Sequence, residues 1–175
     1  MNSCVFSLQA VDFREHHPSH CDGFAGRGAV LKYSRVSLPE FEILDHPADI
    51  GFRAFGESIG RLFENSATAL LSIAGEIEDV GPRIEYPLEA EGADYESLLV
   101  SWLSEVLYWF DGRRIAFRRF HVREIAPGRI KATGFGEPHD PLRHRAKLIV
   151  KAVTWHQLRV FENGGRWVAE VYLDI

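Results

Sequence analysis

Residues 94–112 read DYESLLVSWLSEVLYWFDG and contain the clearest helical pattern in this chain of 175 residues. Asp94 is a favourable N-cap, and Glu96 places a negative charge at the positive end of the helix dipole. Gly112 is a residue at which this helix can end. The stretch therefore predicts an amphipathic helix with one face in a core. The apolar residues of that face recur at three- and four-residue spacing and are Leu98, Leu99, Trp102, Leu103, Val106, Leu107 and Phe110.

A second amphipathic helix is predicted upstream, between Ser58 and Gly75. Ser58 is a favourable N-cap, and glycine commonly stands where a helix ends. The same spacing of apolar residues is found between these two positions. The residues that form the apolar face are Ile59, Leu62, Phe63, Ala67, Leu70 and Leu71.

Strand patterns occupy most of the remaining chain after Phe41. Pro87 predicts that its strand lies at a sheet edge, because proline has no N–H to donate. Turn residues at Pro127-Gly128 and at 162–165 predict hairpins. The fold class is therefore α+β, a single domain whose largely antiparallel or mixed β-sheet carries the two helices on one face. The predicted strands are 41–44, 51–55, 84–90, 115–125, 129–135, 147–161 and 166–175.

The first 39 residues differ from the rest of the chain. They mix His, Gly, Ser and Arg with isolated apolar residues and show no sustained period, which predicts a poorly ordered arm before a domain at 40–175. A mis-assigned start codon is the alternative. The two cysteines, Cys4 and Cys21, lie in this arm and match no metal-ligand spacing, and two cysteines do not make a disulfide framework.

The charge distribution is asymmetric. The chain up to Phe110 has 7 Lys and Arg against 18 Asp and Glu, whereas the chain from Asp111 onward has 13 against 7. This allows either two oppositely charged surfaces or solvated faces whose signs mix in three dimensions, and we favour the second. No apolar run approaches the roughly 20 residues of a membrane-spanning helix, and no secretory signal is evident, so a cytoplasmic protein without membrane contact is expected.

Three short polar clusters are the candidate functional sites, because no nucleophile elbow, phosphate-binding glycine loop or zinc motif is present. The first is DHPADIG at 45–51. Asp45, His46 and Asp49 could supply ligands to a divalent cation, although aspartates at turns also bind backbone amides.

The second cluster is GEPHDPLRHR at 136–145, either a preorganised binding loop or a rigid connector. Its candidate residues are Glu137, His139, Asp140 and His144.

The third cluster is the chain end. The apolar alternation of the last strand continues to the terminus and would hold the terminal carboxylate of Ile175 beside Asp174. Two fixed carboxylates repel each other unless a cation lies between them, so this is the sharper metal candidate. His156 is a further candidate, but its alternation with apolar residues favours a core histidine.

Together these segments resemble the archease family. DHPADIGFRAFG, RLFENSATAL, LLVSWLSEVLYWFD, GEPHDPLRH, KAVTWHQL and the terminal LDI occur in the family's order, from about Phe41 to Ile175. The resemblance implies an accessory protein of an RtcB-type RNA ligase in tRNA splicing, which promotes guanylylation of the ligase and repeated turnover. It also implies a divalent cation, typically calcium, bound by Asp49, Asp174 and Ile175, with RNA contact indirect or transient.

The chain departs from the family pattern at two positions. Pro47 stands where threonine is usual, and His139 stands where tyrosine is common. Neither is an implied ligand, but Pro47 removes a hydroxyl and a backbone donor from the first cluster.

Two other functions remain open from the residues. One is a metal-dependent hydrolase or phosphotransferase that acts on RNA or nucleotides through Asp49, Asp174 and either His46 or His156. The other is a general chaperone module with an incidental structural cation.

Overall fold

The computed structural model describes residues 39–45 and 50–175, the side chain of Asp45 excepted. The predicted arm before Pro39, including both cysteines, lies outside the described residues. Segment 46–49 also lies outside them, and it contains His46, Pro47 and Asp49.

Both predicted helices are present. Helix α1 spans Ile59–Ala74 and helix α2 spans Tyr95–Leu107. The hydroxyl of Ser58 accepts a hydrogen bond from the backbone N–H of Arg61 at 3.2 Å. The carboxylate of Asp94 accepts one from the backbone N–H of Ser97 at 2.7 Å. These side chains satisfy helix N–H groups that lack intrahelical partners, so both predicted N-caps are confirmed.

Helix α2 does not end simply. Its α-helical part stops at Leu107, and one π-helical turn, Tyr108–Gly112, follows before the chain leaves the helix. The predicted end at Gly112 therefore holds for the helical segment as a whole. Such turns are rare and occur often at functional sites.

The predicted α+β class is confirmed, with the strands divided between two antiparallel sheets. The first sheet has the order β1-β2-β8-β6, with β7 also paired to β8. It comprises β1 (Phe41–Asp45), β2 (Ile50–Gly56), β6 (Ala152–Val153), β7 (Arg159–Asn163) and β8 (Arg166–Asp174).

The second sheet has the order β3-β5-β4. Strand β3, which contains Pro87, lies at its edge as predicted, and β4 and β5 form the hairpin predicted at Pro127-Gly128. The three strands are β3 (Ile84–Glu91), β4 (Ile115–Ala126) and β5 (Arg129–Pro138).

The core lies where the helices meet the two sheets. Helix α1 packs on β2 and β4, and α2 packs on β3, β6 and β7. Trp102 is fully buried, and its indole N–H donates to the carbonyl of Phe63 at 3.0 Å, which joins the two helices. No helix in the described part of the chain is long and apolar enough to cross a membrane.

The predicted strand at 147–161 is wrong. Only Ala152–Val153 and Arg159–Asn163 form strands, and the chain between them turns at His156 and Gln157. Gln157 adopts a positive φ of 51°, which breaks the alternation. His156 is consequently exposed, and the expectation of a core histidine is also wrong.

Candidate functional site

The chain end is held in place on both sides. Strand β2 pairs with β8 through Ile50 opposite Leu173, and β6 pairs with it through Ala152 opposite Asp174. The backbone N–H of Lys151 donates to the carbonyl of Asp174 at 2.8 Å. Chain termini commonly fray, so this pairing is what presents Asp174 in one position.

Lys151 makes a second contact at the same place. Its ammonium donates to a terminal oxygen of Ile175 at 2.8 Å. This lysine was not among the predicted site residues, although it begins the KAVTWHQL segment. The signal that could have identified it was chemical, because two adjacent carboxylates need a positive charge nearby.

Asp174 shares the outer face of the first sheet with Tyr172 and Glu170, because alternate residues of a strand point to the same side. The ring of Tyr172 covers Gly51 so closely that a Cβ there would approach a ring carbon at 3.0 Å. The imidazole of His156 packs edge-on against Tyr172 with ring centroids 5.8 Å apart. The structure thus brings His156 near the face that carries Asp174.

Glu170, further along this face, is a buried carboxylate between two guanidinium groups. Arg53 Nε donates to it at 2.9 Å and Arg159 Nε at 3.0 Å. Burial raises the pKa of Glu170, but the hydrogen bonds and charges of both arginines outweigh burial and the pKa is lowered overall. Glu170 is fully occupied as a structural ion pair.

The first cluster is only partly described. Asp45 pairs through its backbone with Ile50, which in turn pairs with Leu173. Segment 46–49 therefore connects β1 to Ile50, and of the two residues that flank it only Ile50 is paired with β8. In the residues described, no group of three or more His, Cys, Asp or Glu side chains could hold a metal ion. A three-ligand site at the chain end thus depends on Asp49 and remains a prediction.

The second cluster is built around Glu137. This buried carboxylate accepts a hydrogen bond from the backbone N–H of Gly81 at 2.8 Å, and Arg143 contacts it at 3.0 Å. Arg83 lies 3.6 Å from its other oxygen. The Gly81 hydrogen bond and then Arg143 lower the pKa of Glu137 from 4.5 to about 2. The carboxylate is therefore charged at any physiological pH.

The remaining residues of this cluster hold the loop together. The backbone N–H of Asp140 donates to Nδ1 of His144 at 3.0 Å, which leaves Nε2 of His144 to donate to Glu137 at 3.3 Å. The carboxylate of Asp140 accepts from the backbone N–H of Leu142 at 2.9 Å. These contacts describe a loop made rigid by its own polar groups.

His139 lies at the edge of the cluster, with its ring 5.6 Å from that of His144. Its Nδ1 is 3.2 Å from the guanidinium of Arg114. Burial lowers the pKa of His139, and the charge of Arg114 lowers it further, so the ring is mostly neutral at pH 7. In the described residues no hydrogen bond or ion pair links this cluster to Asp174.

Comparison with known proteins identifies relatives of the whole domain. The family model described as the Archease protein family (MTH1598/TM1083) matches residues 41–175. A protein archease of Methanosarcina mazei is 39% identical over 140 residues, which are 78% of this chain and 96% of that protein. A protein archease of Pyrococcus furiosus is 36% identical over 142 residues, which are 79% of this chain and 100% of that protein.

Solved structures agree with the fold. The solution structure of Methanobacterium thermoautotrophicum protein 1598 superposes with a TM-score of 0.67 at 32% identity, covering 78% of this chain and 99% of the other. The crystal structure of an archease, described as a possible chaperone, from Thermotoga maritima superposes with a TM-score of 0.51 at 19% identity, covering 75% and 94%. The second likeness concerns the fold alone.

Proposed function

Because the chain belongs to the archease family, we propose that it is a metal-binding accessory protein that activates an RtcB-type RNA ligase. In this function it promotes guanylylation of the ligase and multiple turnover in tRNA splicing or RNA repair. Its contact with RNA is indirect or transient. The protein has no catalytic chemistry of its own in this proposal.

The observation that carries the proposal is the fixed chain end. Asp174 and the terminal carboxylate of Ile175 are adjacent, exposed and tied to the sheet through Lys151. Asp49 directly precedes Ile50, whose backbone pairs with Leu173 near the end of β8. A paired strand that ends in two carboxylates presents negative charge at one point of the surface.

The donor set fits a divalent cation. Carboxylate oxygens are the ligands that calcium and magnesium prefer. Asp49, Asp174 and Ile175 would hold the ion, and the ion would neutralise their mutual repulsion. The ammonium of Lys151 already balances one negative charge at Ile175. Because of this, we expect the chain end to bind metal only while Asp174 contributes its charge.

The test uses a cognate RtcB-type ligase, with guanylylation and multiple-turnover RNA joining measured with and without this protein. Wild type is compared with Asp174→Asn, which removes the charge and keeps the shape. Glu162→Gln is the matched control, because Glu162 is an exposed acid in the β7–β8 hairpin. Wild type and the control should accelerate both steps, and Asp174→Asn should lose most of the acceleration.

Metal binding is measured separately by calorimetry and by thermal unfolding with calcium or magnesium chloride. A cation that binds the folded protein raises its melting temperature. This rise should be present in wild type and Glu162→Gln and absent in Asp174→Asn. An unchanged response of Asp174→Asn would reject the metal site.

The ligase assay decides between the functions. Wild type that fails to stimulate a competent ligase would reject the accessory function, and RNA hydrolysis by the protein alone would favour the hydrolase.

A further inference from the structure

Exposed apolar side chains are concentrated in one segment of the chain. Eight large hydrophobic side chains are exposed in the described residues, and four of them lie between 142 and 155. Ile149 is 79% exposed and Trp155 is 62% exposed. Leu148 and Ile149 line one cavity together, and exposed apolar side chains that cluster mark interaction sites. The four residues are Leu142, Leu148, Ile149 and Trp155.

A groove lies beside this segment. It has two lobes, of about 430 and 500 Å³, which share Leu107, Asp111, Ile149 and Val150 as walls. The π-helical turn after α2 forms one side, and the segment from Leu148 to Val153 forms the other. We call this feature the 149 groove. It is large enough to receive apolar side chains of a partner.

The backbone beside the 149 groove is irregular where the helical segment ends. The π-helical turn closes at Gly112, and such turns occur often at functional sites. Arg114, two residues further on, lines the groove and adopts a left-handed φ of 56°, a conformation that residues other than glycine adopt mainly at helix ends and functional sites.

The positive charge of the surface limits which partners can bind there. Residues 141–161 contain five Lys and Arg and no Asp or Glu. Arg114 and Arg145 line the first lobe with His139 and His144, and Lys151 lines the second, whereas Asp111 is the one acid in the walls. A complementary partner therefore carries carboxylates around an apolar contact.

The aliphatic side chains of the groove favour a protein over a nucleic acid. Single-stranded RNA gains affinity by stacking bases on aromatic or guanidinium planes. Tyr108 and Arg114 in the walls offer such planes, whereas Leu148 and Ile149 do not. Those side chains gain free energy only by burial against other apolar atoms. Phosphate contacts alone would leave both of them in water.

We propose that the 149 groove is the docking surface for an acidic, apolar segment of the partner ligase. The inference rests on the proposed accessory function and adds a second contact to it. Lys151 belongs to the groove and also binds the terminal oxygen of Ile175, so docking and the chain end are neighbours on one surface. Docking thereby places the partner beside the chain end that carries Asp174.

The experiment measures the affinity of the labelled full chain for the purified ligase by fluorescence anisotropy. Ile149→Asp places a carboxylate in the apolar, basic groove and should weaken binding at least about tenfold. Ile43→Asp is the matched control, since Ile43 is also an exposed isoleucine but lies on β1 outside the groove. Ile43→Asp should bind within about threefold of wild type.

The outcomes separate the two proposals. Wild-type affinity in Ile149→Asp, with a circular dichroism spectrum like that of wild type, would overturn the groove and leave the accessory function in place. No binding by wild type would overturn both. Light scattering that shows a wild-type dimer and an Ile149→Asp monomer would assign the groove to a second copy of this chain. Binding of single-stranded RNA that Ile149→Asp loses would assign it to nucleic acid, and either result overturns the ligase segment as occupant.

Discussion

Glu137→Gln should destabilise the protein at neutral pH and much less in acid. The substitution keeps the shape of the side chain and an oxygen for the backbone N–H of Gly81, but it removes the charge that Arg143 and Arg83 contact. The loop that contains Glu137 and His144 borders the 149 groove. The stability of the variant therefore also measures how far the charge of Glu137 holds that loop in place.

The magnitude follows from the pKa of Glu137. A carboxyl with a pKa of about 2 in the folded protein and an ordinary value of 4.5 contributes roughly 3 kcal/mol to stability at pH 7. Arg143 and Arg83 are well exposed, so solvent screening reduces this to about 2 kcal/mol. The pKa of Glu137 is lower in the folded protein than in the unfolded chain. The contribution is therefore complete above pH 4.5 and is lost as the pH falls through 2.

The assay is urea unfolding followed by tryptophan fluorescence, at pH 7 and at about pH 3. Glu137→Gln should be about 2 kcal/mol less stable than wild type at pH 7, and more than half of the difference should be gone at about pH 3. Glu162→Gln, at an exposed acid, should differ from wild type by less than about 0.5 kcal/mol at either pH. An equal difference for Glu137→Gln at both pH values would refute the electrostatic reasoning.

Two further substitutions test the packing. Trp102→Phe removes the hydrogen bond to Phe63 and part of a fully buried ring, and urea unfolding should show a loss of about 2 kcal/mol; a change below about 0.5 kcal/mol would contradict this role. Gly136→Ala should cost at least about 2 kcal/mol, because its Cβ would stand 2.0 Å from the carbonyl oxygen of Ala116 on the paired strand. Gly60→Ala is the control, since its Cβ would meet nothing closer than 3.6 Å and alanine favours a helix; equal stabilities of the two variants would contradict the steric argument.

The local elements were predictable because their signals are local. A helix is predicted from an N-cap residue, an apolar face and a terminating residue. Ser58 and Asp94 each directly precede the helix that they cap. The hairpins at Pro127-Gly128 and 162–165 are likewise determined by a few adjacent residues. The prediction failed at 147–161, where an alternating pattern indicated one strand. There the chain forms strands only where it lies beside β8. Which segments lie beside β8 is decided by the tertiary structure.

The candidate sites divide in the same way. The chain end was predicted as a site from the sequence, because the apolar alternation indicated an ordered strand up to the terminus. The strand is confirmed as far as Asp174, and metal binding there stays a prediction. The contact between Lys151 and Ile175 was missed because these residues are 24 positions apart. Glu137 was predicted as a candidate residue of a loop that is either a binding loop or a rigid connector. Its partners Gly81 and Arg83 lie more than 50 positions away and were not associated with it, because no pattern within 136–145 points to them.

The sequence by itself determined the α+β class, both helices, most strands, the family and the order of the polar clusters, since each depends on residues that are near neighbours or on a pattern spread along the whole chain. The tertiary structure decided how the strands divide between two sheets, why His156 is exposed, and which charges meet Glu137 and Glu170. It also decided where the 149 groove lies. These features depend on contacts between segments far apart in the chain, which form only when burial of the common core brings their backbones together.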